Sequence, residues 1–205
     1  RLRYTAGDHD SGAKTIFGQQ GNWTGADAVR IVLEQPPSVR LLVRKLYRWL
    51  VSEEDEPGDA LVAPLAESFA KDYDVAKLVE TMLRSNLFFS PAAYRRRIKS
   101  PVEFALSIVR PLEALIPTTP LGRALAALGQ DLCQPPTVQG WEGGRIWITT
   151  STLVGRSNLA VAMLSGSEPF GDRLNPAAVA KKHGHPSADT GSQFLVDLFL
   201  QGDLD

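Results

Sequence analysis

The feature that most constrains this chain is a series of helix-start signals between residues 24 and 190. Thr24 precedes Asp27 by three residues, and Ser100-Pro101 is followed by Glu103, which is the order of an N-cap residue and a capping-box acid. Apolar residues then recur every three or four positions, as on the buried face of a helix. Further helix starts are predicted at Ser38, Asp59, Asp74, Ser90-Pro91, Thr119-Pro120, Ser151, Asn175-Pro176, and Asp189 or Thr190. The predicted fold is mainly α, an irregular multi-helix bundle with long Gly/Pro-rich loops and little or no sheet.

Two irregular segments interrupt the helical pattern. Residues 1–23 have a glycine at nearly every fifth position, so we expect an irregular or short-strand segment there. Residues 130–148 are again rich in glycine and proline. Pro111 is expected to kink or shorten the helix that begins near Ser100, because proline lacks the backbone N–H that a helix interior needs.

The domain organisation is predicted from composition. With 205 residues the chain can bury roughly 70% of its unfolded surface, so we expect a sizeable core. A Gly- and Pro-rich stretch at 165–175 is the predicted boundary between a helical domain, residues 1–165, and a C-terminal appendage with one or two short helices, residues 166–205. The first residue, Arg1, is not an initiating Met, and we interpret the start as a cut within a longer chain.

The charge is almost balanced, with 22 Lys and Arg against 23 Asp and Glu and a net charge of −1. No global field attracts nucleic acid, so no nucleic-acid partner is predicted. The one strong basic run, residues 94–99, is interpreted as a solvated connector, although it would also suit phosphate or an acidic polymer. No stretch of 18 apolar residues exists, so no transmembrane segment is predicted. The single cysteine, Cys133, cannot form an internal disulfide.

The first candidate site is a glycine-bracketed loop with His9, Asp10 and Lys14. These side chains would suit a base, its orienting carboxylate and an electrostatic clamp. The alternative, which we favour, is a tight turn in which Asp10 binds backbone and His9 packs against a helix. The loop does not match a phosphate-binding Gly-x-x-x-x-Gly-Lys-Ser/Thr pattern, because Ala13 separates Gly12 from the lysine.

The second candidate site is the loop with Trp141 and Trp147. Flat indole rings six residues apart would form a platform for pyranose sugars. Core packing is the favoured alternative, because tryptophan is mostly buried on average. In the following helix, Arg156 and Asn158 lie among apolar neighbours, and a structural ion pair of Arg156 is favoured over catalysis because an unpaired buried charge is costly.

No metal and no cofactor is predicted. His183 and His185 have no Cys, Asp or Glu nearby at ligand spacing. The sequence contains no Gly-x-Ser-x-Gly, His-Glu-x-x-His or Cys-x-x-Cys motif. The residue types that remain favour binding or acid–base chemistry over metal chemistry.

Several ordered motifs together resemble the large bacterial family called domain of unknown function 1800. They span about residues 5–164 and keep their order over that distance, while residues 165–205 carry no such motif. The matching stretches are His9-Asp10-Ser11-Gly12-Ala13-Lys14-Thr15, Gly18, Gln35-Pro36, Arg44-Lys45-Leu46-Tyr47, Phe69, Phe88-Phe89-Ser90, Lys99-Ser100-Pro101-Val102-Glu103-Phe104, Leu128-Gly129-Gln130, Gln134-Pro135-Pro136, Val138, Gly140-Trp141, Gly143-Gly144, Trp147, Arg156 and Asn158.

The resemblance implies a mostly helical, exported bacterial protein, located in the periplasm or outside the cell. Members of the family are about twice this length or more, so the chain is expected to be the C-terminal part of a larger domain. The family is often encoded beside a second family of sulfatase-like proteins exported by the twin-arginine route. It implies no established activity, so no catalytic role is carried over to this sequence.

Two functions remain open from the sequence. The preferred one is a binding or assembly module at the cell envelope, whose partner is a carbohydrate or a neighbouring protein such as the sulfatase-like one. The other is a hydrolase of a polymer or ester with His9 as general base. The candidate binding patch consists of His9, Asp10, Lys14, Trp141, Trp147, Arg156 and Asn158.

Overall fold

The computed structural model describes residues 5–200, apart from the side chain of Ala6. This described part contains nine α-helices and one antiparallel pair of short strands, so the prediction of a mainly α fold with little sheet is confirmed. The strands are β1 (Lys14–Ile16) and β2 (Gln19–Gly21). The helices are α1 (Gly25–Leu33), α2 (Pro36–Leu50), α3 (Asp59–Phe69), α4 (Val75–Leu83), α5 (Pro101–Val109), α6 (Thr118–Ala127), α7 (Thr150–Leu164), α8 (Pro176–Lys182) and α9 (Ala188–Leu200).

Two predicted helix starts form complete capping boxes, whereas α2 and α6 begin one or two residues before the predicted Ser38 and Thr119 and have no side-chain cap. The Thr24 hydroxyl accepts the backbone N–H of Asp27 at 3.3 Å, and the Asp27 carboxylate accepts the N–H of Thr24 at 3.0 Å. The same reciprocal pair joins Ser100 and Glu103. Each capping box provides partners for N–H groups that the first turn of a helix leaves without one. Helix α5 ends at Val109, two residues before Pro111, as expected.

One predicted helix start is wrong. Residues 84–95 form consecutive turns, and no α-helix begins at Ser90. The Ser90 hydroxyl donates to the carbonyl of Leu87 at 2.7 Å, so it closes the preceding turn and does not cap a following helix. Arg95 has a φ of 56°, in the left-handed region that no helix interior adopts.

The chain forms two compact units, one that ends at Arg97 and one that begins at Ile98. In the first unit, α2, α3 and α4 surround a small core. Its fully enclosed members include Val43 and Val62, with exposures of 1% and 0%. The remaining core residues of this unit are Val39, Ala66, Phe69, Leu78 and Met82.

The second unit has a larger core, which extends from α5 to α8. Ala105 of α5 and Met163 of α7 are both fully buried there. Residues after 165 contribute Phe170, Leu174 and Val179 to this core. The division into a domain over 1–165 and an appendage over 166–205 stays a prediction.

In the described part of the chain, no helix is both long enough and apolar enough to cross a bilayer.

Candidate functional site

The first candidate loop lies in the first unit and closes on its own backbone. The Asp10 carboxylate accepts the Gly12 N–H at 2.8 Å, which is the tight turn favoured by the sequence. The Lys14 ammonium donates to the carbonyls of Asp10 and Gly12, the latter at 3.1 Å. The Gly12 N–H and, to a smaller degree, the Lys14 charge hold the pKa of Asp10 below its usual range. Asp10 and Lys14 therefore have local partners within this loop, and His9 is half-buried beside them.

The second candidate loop lies in the second unit, and its two tryptophans differ. Trp147 is only 5% exposed, whereas Trp141 is half-buried. The carbonyl of Trp147 accepts the Thr152 hydroxyl at 3.0 Å, which ties the end of the loop to the first turn of α7. The core-packing interpretation therefore holds for Trp147, whose ring is not open to a sugar in this conformation.

Aliphatic side chains of the same loop are exposed instead. Val138 is fully exposed, and Leu132, Ile146 and Ile148 are also open to solvent. Cys133 is exposed as well and has a φ of 66°. The exposed apolar surface of this loop is therefore aliphatic, whereas the candidate binding residues predicted from the sequence are its two tryptophans.

Helix α7 follows this loop and carries apolar residues on two opposite faces. Arg156, Leu159 and Met163 lie on the buried face. Because successive helical residues are rotated by about 100°, the side chains on the other side fall within one stripe. We call this stripe the outer face of α7; its members are Leu153, Val154, Val161 and Leu164, which are 46–64% exposed. Ser157 lies within the stripe, and the predicted site residue Asn158 lies at its edge and is exposed.

Arg156 is buried, with 7% exposure, and its contacts correct the expectation of a structural ion pair. Its Nη2 donates to the Lys99 carbonyl at 2.7 Å, and its Cζ lies 5.1 Å from the centre of the Phe104 ring. Within residues 5–200 no carboxylate lies within 4.0 Å of the guanidinium, and its buried Nε has no hydrogen-bond partner. Burial lowers the pKa of Arg156. A carbonyl dipole and an aromatic face therefore replace the expected carboxylate.

Comparison with known proteins gives one match. The model of the family described as "Protein of unknown function (DUF1800)" matches residues 1–205. This chain belongs to the DUF1800 family. The match includes residues 165–205, which the motif resemblance left outside. No curated protein and no solved structure matches the chain.

The seven predicted patch residues of this DUF1800 chain are divided between its units. His9, Asp10 and Lys14 belong to the first unit. The other four, Trp141, Trp147, Arg156 and Asn158, belong to the second. That they form one patch stays a prediction.

Two arginines of the basic run of the DUF1800 chain pair with the acidic loop at residues 53–56. Arg96 lies 3.6 Å from the Glu54 carboxylate. Arg97 lies 3.8 Å from the Glu53 carboxylate and 4.4 Å from the centre of the Trp49 ring. Opposite charges within the first unit thus account for these two arginines, as the connector interpretation expects.

Sequence reasoning missed one polar cluster in the second unit, which we call the Glu113 cluster; it consists of Glu113, Lys182, His183 and Phe194. His183 Nε2 donates to Glu113 Oε1 at 2.9 Å, and Lys182 pairs with the same carboxylate. The hydrogen bonds from Lys182 and His183 hold the pKa of Glu113 below its usual range. His183 and His185 both stack on the Phe194 ring, with centroids 5.5 and 4.8 Å away. The one available signal was the placement of Lys182 and His183 at the C-terminal end of α8, where cations are favoured.

His, Cys, Asp and Glu side chains are the usual protein ligands of metal ions, and several lie among the described residues. No group of three or more His, Cys, Asp or Glu side chains among them has the geometry to hold a metal ion. His183 hydrogen-bonds to Glu113, and both His183 and His185 stack on Phe194.

Proposed function

We propose that this chain is a protein-binding module of an exported bacterial protein, and that its partner packs on the outer face of α7. The observation that carries the proposal is the group of four exposed aliphatic side chains along that face. Soluble proteins expose single apolar side chains routinely, but contiguous apolar patches are typical of interaction sites. Val161 and Leu164 are three positions apart and adjoin on this side of the helix, and Leu153 and Val154 lie about two turns earlier on the same side, with Ser157 between the two pairs.

The chemistry of the stripe favours a protein over a carbohydrate. Pyranose sugars are bound by flat aromatic rings together with hydrogen-bonding groups. The outer face of α7 has no aromatic residue, and Trp147 in the preceding loop is buried. Branched aliphatic side chains suit the grooves and helix faces of another protein.

The same stripe is unsuited to a lipid surface. Helices that lie in a membrane interface have Lys or Arg on their polar face, which attract anionic headgroups. The only charged residue of α7 is Arg156, and its side chain is buried. A partner with an uncharged apolar face is therefore the best complement.

The contacts of the first loop weigh against the alternative hydrolase. A general base needs an open imidazole with an orienting carboxylate within hydrogen-bond reach. Asp10 is already bound to the Gly12 N–H, and Lys14 is bound to backbone carbonyls. These contacts support a structural turn at this position. In a screen of ester and glycoside substrates, turnover that is abolished in the His9→Ala variant would favour the hydrolase.

The first partner to test is the co-encoded sulfatase-like protein that the family resemblance implies. Binding of the two purified proteins is measured by calorimetry with the wild type and the Val161→Asp variant. Because a buried carboxylate in an apolar interface is costly, Val161→Asp is expected to weaken binding at least tenfold. The matched control is Val29→Asp on α1, since Val29 is 60% exposed and Val161 is 64% exposed.

Three outcomes contradict the proposal. Binding that survives Val161→Asp places the interface elsewhere, and selective retention of a glycan on an array with no protein partner favours the carbohydrate. If the wild type is a dimer by sedimentation and Val161→Asp is a monomer, the face is covered by a second copy of the chain. Export is tested separately, by fractionation of cells that express the full-length protein, where an exclusively cytoplasmic signal contradicts it.

A further inference from the structure

A narrow groove of about 240 Å³ lies in the first unit, far along the chain from the outer face of α7. It is lined by residues of α2, by the end of α1, by the end of α3 and by the segment after α3. Six of the eight lining residues are aliphatic or aromatic. The lining consists of Leu33, Ser38, Val39, Leu41, Leu42, Lys45, Phe69 and Tyr73.

One wall of the groove is fixed by Tyr73. Its hydroxyl donates to the Leu33 carbonyl at 3.1 Å, and its backbone N–H donates to the Phe69 carbonyl at 2.8 Å. Its ring lies edge-on to the Phe69 ring, with 5.5 Å between centroids. Tyr73 also has a φ of 54°, a conformation that an aromatic residue adopts only where its surroundings enforce it. The groove is therefore preformed on this side.

The charge at the groove is a single cation. Arg40 and Arg44 of α2 both pair with Asp59, and Arg48 pairs with Glu56. Lys45, on the same helix, is the one charged side chain in the lining. Within residues 5–200 no carboxylate lies within 4.0 Å of its ammonium group. Three of the four cations of α2 thus have acidic partners within the unit. The fourth, Lys45, lies at an apolar groove.

A second groove of the first unit, which shares Phe69, provides a contrast. It is lined by Asp72, Asp74 and Lys77 among others. There the lysine is already paired, because Lys77 lies 3.4 Å from the Asp72 carboxylate. The presence of a groove does not by itself leave a cation without a partner.

We propose that the groove beside Lys45 binds an aliphatic carboxylate, with the hydrocarbon chain against the apolar lining and the carboxylate at the Lys45 ammonium. An alkyl chain gains free energy from each methylene that it buries, and one anion complements the one cation. This is a small-molecule site in addition to the proposed protein-binding face. It needs neither α7 nor a protein partner.

The test is a titration of the full chain with octanoate, decanoate and 1-octanol, below the concentrations at which they aggregate. We expect octanoate to bind more tightly than 1-octanol, and decanoate to bind more tightly than octanoate by up to about fourfold per added methylene. Lys45→Gln should weaken octanoate binding by about two- to fivefold, as for an exposed ion pair, and leave 1-octanol binding unchanged. The matched control is Lys181→Gln on α8, which should alter neither.

A second variant locates the hydrocarbon chain. Leu41 is 55% exposed, so Leu41→Glu is expected to fold, which circular dichroism and thermal unfolding verify. The glutamate carboxylate would repel the carboxylate of octanoate and would place a negative charge in the apolar lining. Octanoate binding should therefore be lost. The proposal is overturned if octanoate does not bind, if 1-octanol binds equally well and Lys45→Gln changes nothing, or if Leu41→Glu binds like the wild type. Retention on phosphatidylglycerol vesicles without octanoate binding would also overturn it, in favour of a lipid surface.

Discussion

Helices α2 and α7 have the same length of 15 residues, but their outer faces differ. Most of the charged side chains on the outer face of α2 are paired within its own unit, because its arginines pair with Asp59 and Glu56. Its exposed Trp49 lies under the Arg97 guanidinium, at 4.4 Å. Within the described residues, the outer face of α7 has no charged side chain, and its four aliphatic side chains are 46–64% exposed. The folding of the second unit therefore explains only one side of α7, and the other side is where we propose that a partner packs.

The largest expected effect separates the two faces of α7. Met163 is fully buried, so Met163→Ala should lower the free energy of unfolding by about 2–5 kcal/mol through lost transfer energy and a cavity. Val161, two residues earlier on the outer face, should change it by less than about 0.5 kcal/mol when replaced by alanine. Urea unfolding of both variants measures the difference. Equal losses would mean that the outer face is already covered in the isolated chain.

The second prediction concerns the buried Arg156. Arg156→Ala leaves the Lys99 carbonyl without its donor, which should cost about 1–3 kcal/mol of stability. Arg156→Met loses the same donor but keeps most of the packing of the Arg156 side chain, so it should lose less stability than Arg156→Ala. Denaturant midpoints at one pH compare the two variants. Equal midpoints would show that the packing of the Arg156 side chain contributes nothing to stability.

A smaller effect is expected on the outer face of α2. Asp59→Asn removes the carboxylate that Arg40 and Arg44 share, and these exposed pairs should contribute less than about 1 kcal/mol. The loss should shrink between low and high salt, because exposed charges are screened. Thermal unfolding at two salt concentrations measures it. A salt-independent loss would assign Asp59 a role other than charge pairing, such as its place in the first turn of α3.

The smallest effect is a pH dependence in the Glu113 cluster. The pKa of Glu113 is lower in the folded state than in the unfolded chain, chiefly because of the hydrogen bonds from Lys182 and His183. Its contribution is therefore fully present above the ordinary glutamate pKa of about 4.3 and is lost as pH falls through the lower folded value. Glu113→Gln should flatten the acid limb of the stability curve. Glu67→Gln, at an exposed carboxylate of α3, is the matched control for the loss of one acidic side chain.

Local signals were predictable from the sequence because they act over three or four residues. The capping boxes at Thr24 and Ser100 and the end of α5 before Pro111 all depend on neighbouring residues alone. The Asp10 turn belongs to the same class, since its carboxylate binds a backbone group two residues away. Most helix positions and the mainly α fold follow from such signals.

Distant partners were not predictable. Glu113 and His183 are 70 residues apart, and nothing near either residue specifies the other. The ion pair expected for Arg156 was wrong because a carbonyl from 57 residues away and a ring occupy that place. Ser90 does not cap a helix, because its hydroxyl donates to the carbonyl of Leu87, three residues earlier in the chain. The exposure of the outer face of α7 was not predictable either, because apolar residues lie on two sides of this helix and a single amphipathic stripe is the usual helix signal.

The exposed Cys133 offers a single position for spectroscopic labelling in the second unit. It is the sole thiol in the sequence and lies in the loop that leads to α7. A maleimide fluorophore would therefore attach at one position without prior mutagenesis. Its emission would report when a partner excludes water from that loop, and an unchanged emission on addition of octanoate would distinguish the two proposed ligands within one labelled sample.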